Sequence, residues 1–186
     1  MRQPAGGHTL VEVLFSLGLV AVAAGICVPM IMAGVETARA RAATRYLAAQ
    51  MGVARFQAVG RGAMVALHFT QDATGVAVTM VVDGNRNGVR TIEIEAGTDR
   101  RIDGPFRLDD LFPGVVIGLP AGAPGQAVQL GGSNLLSFSP SGTSTSGTVH
   151  VLGRDGSQFA VRVLGATGRT RVLRFDAAME QWVDAW

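Results

Sequence analysis

The chain has 186 residues, enough for a membrane anchor plus one domain with a real core and too few for two full domains. Its 16 basic residues, all arginine, nearly balance 14 acidic ones, which argues against a general nucleic-acid packaging protein. A single cysteine, Cys27, excludes an intramolecular disulfide and a cysteine-built metal centre, while 25 glycines suit turns and short strands better than a helical bundle.

From Val13 to Val35 no residue is charged, and a helix of that length extends ~34 Å, enough to cross a hydrocarbon core of ~30 Å. Glu12 stands at the head of this run, where a carboxylate is costly and calls for a partner. A cleaved secretory signal is the rival reading, since Arg2 is basic and Ala21 to Ala23 has the small-x-small form of a cleavage site. Such a signal has an apolar core of only ~7–15 residues, however, and gives no reason for Glu12. Pro29, deep in the run, removes one backbone hydrogen bond and predicts a kink. Further on, Leu47, Met51, Ala54 and Ala58 follow at spacings of four, three and four, so they share one helical face, with Arg41 and Arg45 roughly opposite. Gly60 and Gly62 predict the helix end.

The residues Gly6, Gly7, His8, Thr9, Leu10, Val11 and Glu12, leading into an apolar helix, resemble the processing site of type IV pilins and type II secretion pseudopilins. That resemblance implies cleavage after Gly7 by a prepilin peptidase and methylation of the new N-terminal amine at His8, which stands where most members carry Phe. It also implies that Glu12 pairs with the N-terminal amine of a neighbouring subunit, which would supply the partner the buried charge needs. The expected organisation is a leader over 1–7, a membrane-spanning and assembly half-helix over 8–35, an amphipathic half over 36–62 and a β-rich domain over 63–186.

Beyond Gly62 the periodicity shifts toward two. Met64 to Phe69, Gly75 to Asp83 and Val89 to Ala96 read as strands, the last two joined by a hairpin turn at Asp83 to Gly88. Asn134 to Phe138, Gly147 to Leu152, Gln158 to Gly165 and Arg169 to Phe175 follow, with the short connectors GRDG and GATG that hairpins require. Pro113 to Gly132 reads as an irregular loop with one short strand. The helix followed by a strand meander, with FSPSG at Phe138 to Gly142, GTVHV after it and TGRTR at Thr167 to Arg171, resembles the GspH/FimT family. Residues 97–132 carry no mark of it.

The resemblance implies an α+β, type IV pilin-like fold, a long N-terminal helix packed on antiparallel β-sheets. It also implies a non-enzymatic minor pseudopilin or pilin, anchored by one helix in a Gram-negative inner membrane with its domain in the periplasm. Its partners would be other pilin or pseudopilin subunits and the prepilin peptidase. The work would be filament assembly for secretion or pilus biogenesis.

Four further stretches bear on chemistry. Asp83, Asn85 and Asn87 alternate before Gly88 like the first half of a calcium loop, but position twelve of such a loop falls on Ile94, and Asn and Asp also make tight turns unaided. On a strand, Arg169 and Arg171 share a face and Arg174 does not. With Gly168 they match the G-R-x-R linked in FimT-like minor pilins to DNA capture for uptake, although Asp176, Glu180 and Asp184 follow closely and dilute the field. Ser141 to Gly147 holds no nucleophile elbow and reads as a mobile loop. His68 and His150 lack ligand partners at metal spacing, and no triad, phosphate loop or cofactor motif occurs. Trp182 and Trp186 lie in an acidic tail, where they would pack a last helix or meet another subunit.

Overall fold

The computed structural model describes residues 9–185, without the side chains of residues 28–30 and 33. Gly7, His8 and Trp186 therefore lie outside the described residues, as does the ring of Pro29. The chain divides after Glu36 into two compact units.

The first unit is the leading part of helix α1 (Leu10–Arg61). Its stretch Leu10–Cys27 is apolar and long enough to cross a membrane, and none of it is buried. Leu14, Phe15, Leu17, Leu19, Val20 and Ile26 each leave more than half their surface uncovered. An apolar helix bare all round fits a single-pass membrane anchor, because lipid supplies the cover that protein does not.

The second unit begins at Thr37 and takes up the rest of α1. Strands β1 (Val65–Asp72) and β2 (Gly75–Val82) come next, then a short helix α2 (Thr91–Glu95), β3 (Arg100–Phe106) and a single turn α3 (Leu108–Leu111). They are followed by β4 (Val115–Ile117), β5 (Val128–Gln129), β6 (Leu135–Phe138), β7 (Gly147–Gly153), β8 (Gln158–Leu164), β9 (Arg169–Asp176) and β10 (Gln181–Asp184). Two antiparallel sheets result, one ordered β3-β2-β1-β6 and the other β10-β9-β8-β7-β4, with β5 also on β7. The architecture is α+β, as expected.

One core joins the helix to both sheets. Leu47, Met51, Ala54 and Ala58, the expected stripe, are fully buried together with Ala40 and Ala43. Four of these six residues are alanine, so the larger side chains of this core come mainly from the sheets. They bring Val65, Leu67, Val78 and Phe138 from one sheet and Val149, Phe159, Val161 and Val163 from the other. Helix α1 stops where Gly62 takes φ +61, a backbone conformation natural to glycine.

A second, smaller core lies on the other face of the first sheet. Ala66, Val81 and Leu135 are covered there by Val89 and Ile94. This corrects the expected strand over Val89 to Ala96, which is the helical turn α2, and the hairpin expected at Asp83 to Gly88, which is a loop leading into it. The place beside β2 is taken by β3, which the sequence did not mark. The I-E-I-E alternation is real, but its apolar side covers a sheet instead of joining one, with Ile94 buried and Ile92 left exposed.

Other expectations need smaller corrections. Pro113 to Gly132 holds two short strands, β4 and β5, both paired with β7. The tail is strand β10 on β9, not a helix. Ser141 to Gly147 is tied down by backbone bonds from Ser139 to Thr143, from Ser144 to Gly165 and from Thr145 to Ser137, so it is a stitched loop.

Candidate functional site

Three places carry the residues that the sequence singles out. The first is the head of α1, where Thr9 Oγ1 accepts the backbone N–H of Glu12 at 3.3 Å. Thr9-x-x-Glu12 thus has the spacing of a capping box, in which the first hydroxyl satisfies a donor that has no partner within the helix. Ser16 Oγ donates to the Glu12 carbonyl at 2.8 Å, closing the next turn. A carboxylate in the first turn also suits the positive end of the helix dipole. Glu12 therefore has a local role beside any role in assembly, and T-L-V-E was the available signal.

The second place is the loop from Asp83 to Asp99. Asp83 Oδ1 accepts the N–H groups of Asn85 at 3.1 Å and Arg86 at 2.7 Å, and its Oδ2 accepts that of Gly88 at 2.7 Å. Asn85 Oδ1 accepts the N–H of Asn87 at 3.2 Å, and Asn87 Nδ2 donates to Glu93 at 2.7 Å. Asp99, 1 % exposed, accepts from Gly84 and Arg90, both at 3.0 Å. The oxygens that a calcium loop turns toward a cation are turned here toward backbone donors. Among the described residues no group of three or more His, Cys, Asp or Glu is disposed to hold a metal ion.

The third place is β9. Its register puts Arg171 opposite Arg162 and Arg169 opposite Leu164 on β8, so the three arginines share the face turned away from the core. Arg174 pairs with Phe159 and lies on the other face. Arg171 bonds Asp184 at 2.8 Å, so the acidic tail reaches one arginine of the G-R-x-R pattern and leaves Arg169 exposed. Gly168 has its own reason to be glycine. It takes φ +60, and a Cβ there would come within 2.4 Å of the Gly142 carbonyl oxygen, which also accepts Arg55 Nε at 3.2 Å.

The same face carries aromatic side chains that the sequence left unplaced. Trp182 stands opposite Phe175, with ring centroids 5.4 Å apart, and 5.3 Å from the ring of His150. His150 is 8 % exposed, and its Nδ1 has no hydrogen-bond partner among the described residues. Burial pushes its pKa down, and the Arg162 guanidinium adds to the shift, so the ring is neutral near pH 7. Arg162 was missed, though the alternation in QFAVRVLG already placed it on the polar side of its strand.

Elsewhere, Asp155 ties the loop after β7 to α1, accepting Thr37 Oγ1 at 2.6 Å. Burial pulls its carboxyl upward, but hydrogen bonds from Ser157 and Thr37 prevail and hold it below the usual value.

A family model described as "Type II transport protein GspH" matches residues 43–168. The match runs from Ala43 in α1 through β8 and ends at the residue before β9, and it includes the 97–132 region that carried no visible mark. No curated protein and no solved structure matches the chain.

Proposed function

Because this chain belongs to the GspH family of type II transport proteins, we propose that it is a minor pseudopilin, a structural subunit that enters or caps a periplasmic filament driving protein secretion. The observation that carries this reading is the combination of a GspH domain with an unpartnered apolar helix, Leu10–Cys27, headed by Glu12. In this scheme a prepilin peptidase removes residues 1–7, His8 becomes the methylated N-terminus, and the helix waits in the inner membrane with the domain in the periplasm. Extraction of a bare apolar helix from lipid is possible only if another apolar surface replaces the lipid, and neighbouring subunits' helices provide it. Glu12, unfavourable in hydrocarbon on its own, then gains the amine of the adjacent subunit and sets the register between helices.

On the domain, Phe56 is 76 % exposed, with Val53 and Val59 beside it on the uncovered side of α1. These residues extend the assembly surface beyond the membrane. The work is positional, and no catalytic group enters the scheme.

The N-terminal mass of the protein extracted from membranes of its host tests this directly. A chain beginning at methylated His8 is expected. A chain that starts near Ala24, as after signal cleavage, or that retains Met1, overturns the proposal.

A further inference from the structure

The outer face of the second sheet carries three arginines and one carboxylate, Asp184. Arg162 stands directly opposite Arg171, and Arg169 lies on the same face two residues earlier in β9. Like charges in direct cross-strand register repel one another, so the sheet gains nothing from this arrangement. Asp184 bonds Arg171 only, and Arg162 and Arg169 make no ion pair among the described residues. The neutral ring of His150 adds no charge, so the positive field on this face comes from the arginines.

Arg162 also lines an open groove of about 660 Å³. Trp182, Phe175 and His150 form one side of it, the chain from Leu119 to Pro124 another, and Gln129, Thr148 and Gln158 supply polar edges. An apolar aromatic wall with an unpaired guanidinium at its rim matches a ligand that carries both a planar anion and an apolar group.

We propose that this groove binds an acidic segment of a partner protein. One carboxylate bridges Arg162 and Arg171, and a neighbouring apolar side chain of the segment seats between Trp182 and the Leu119–Pro124 chain. The Arg171–Asp184 bond already shows that a carboxylate fits this face. A peptide carboxylate suits the site better than a nucleic-acid backbone, because Asp184, on β10 beside Arg171, repels a continuous polyanion, while Arg162, on β8 across β9 from it, stays open to a single carboxylate. The inference goes beyond filament assembly and does not depend on it. Binding is read on the purified chain and assembly in membranes, so either reading can fail alone.

The test uses the full chain in non-ionic detergent micelles and fluorescence anisotropy. The probes are a labelled peptide GDFEFDG, its amide counterpart GNFQFNG, and a labelled single-stranded and a duplex oligonucleotide. The acidic peptide is expected to bind more tightly than the amide peptide, with affinity falling as salt rises. Arg162→Gln, at an exposed position that folding does not need, is expected to weaken it by about fivefold. Asp184→Asn, which removes the internal competitor, is expected to tighten it. Equal binding of the two peptides, no binding of the acidic one, indifference to Arg162→Gln, or tighter binding of either oligonucleotide than of the acidic peptide overturns the proposal.

Discussion

Gly168 shows how one residue can serve two readings. In the sequence it opens a G-R-x-R pattern, whereas in the fold its positive φ and the nearby Gly142 carbonyl oxygen demand a residue without a side chain. Gly168→Ala is expected to destabilise the domain by about 1–3 kcal/mol, read from denaturant unfolding in detergent, whatever it does to ligand binding. The two histidines give a pH signature at the same scale. Burial lowers both His68 and His150 below their ordinary value of 6.5, with Arg101 and Arg162 respectively adding to the shift. The unfolded chain therefore takes up protons first as pH falls, so the stability they contribute is whole above pH 6.5 and declines below it toward the folded-state values. Thermal unfolding at pH 7.5 and at pH 5.5 is expected to show a lower midpoint at the acid value, and His150→Gln is expected to reduce that drop. Neither the glycine's φ nor the burial of a histidine is written locally. Both depend on which distant strand arrives beside them.

Between Asp83 and Asp99 the sequence and the structure part company most clearly. Alternating I-E-I-E is a strand pattern by period, and α2 is too short for helical periodicity to compete with it. What decides is a pair of buried carboxylates: Asp83 gathers three backbone N–H groups and Asp99 two, folding the segment back across the sheet. Asp99→Ala leaves the N–H groups of Gly84 and Arg90 without acceptors and is expected to cost about 1–3 kcal/mol. Amide exchange over residues 84–95 should speed up more than exchange in the core strands. The amphipathic half of α1 behaved differently. Leu47, Met51, Ala54 and Ala58 were legible as a stripe and are all fully buried, because the helical period sorts residues onto faces before any partner is known. Leu47→Ala is accordingly expected to cost about 2–5 kcal/mol in thermal or denaturant unfolding.

For the molecule as a whole, the proposed filament role makes a prediction that separates assembly from folding. Glu12→Gln keeps the hydrogen bond from its backbone N–H to Thr9, so membrane insertion and domain stability are expected to stay unchanged. Incorporation into the filament, followed by co-purification with partner subunits, is expected to drop sharply, and unimpaired incorporation would remove Glu12 from the assembly scheme. The amino-acid sequence by itself determined that this chain has an apolar helix of membrane length with a carboxylate at its head, and that a strand-rich domain follows. Hydrophobic length and strand alternation are properties of consecutive residues. Only the tertiary structure decided that residues 89–95 cover a sheet instead of extending it, that β3 and β10 exist at all, and that Arg162, Arg171, Trp182 and His150 share one face. Those facts depend on strand order and register, which are set by the packing of segments far apart in the chain.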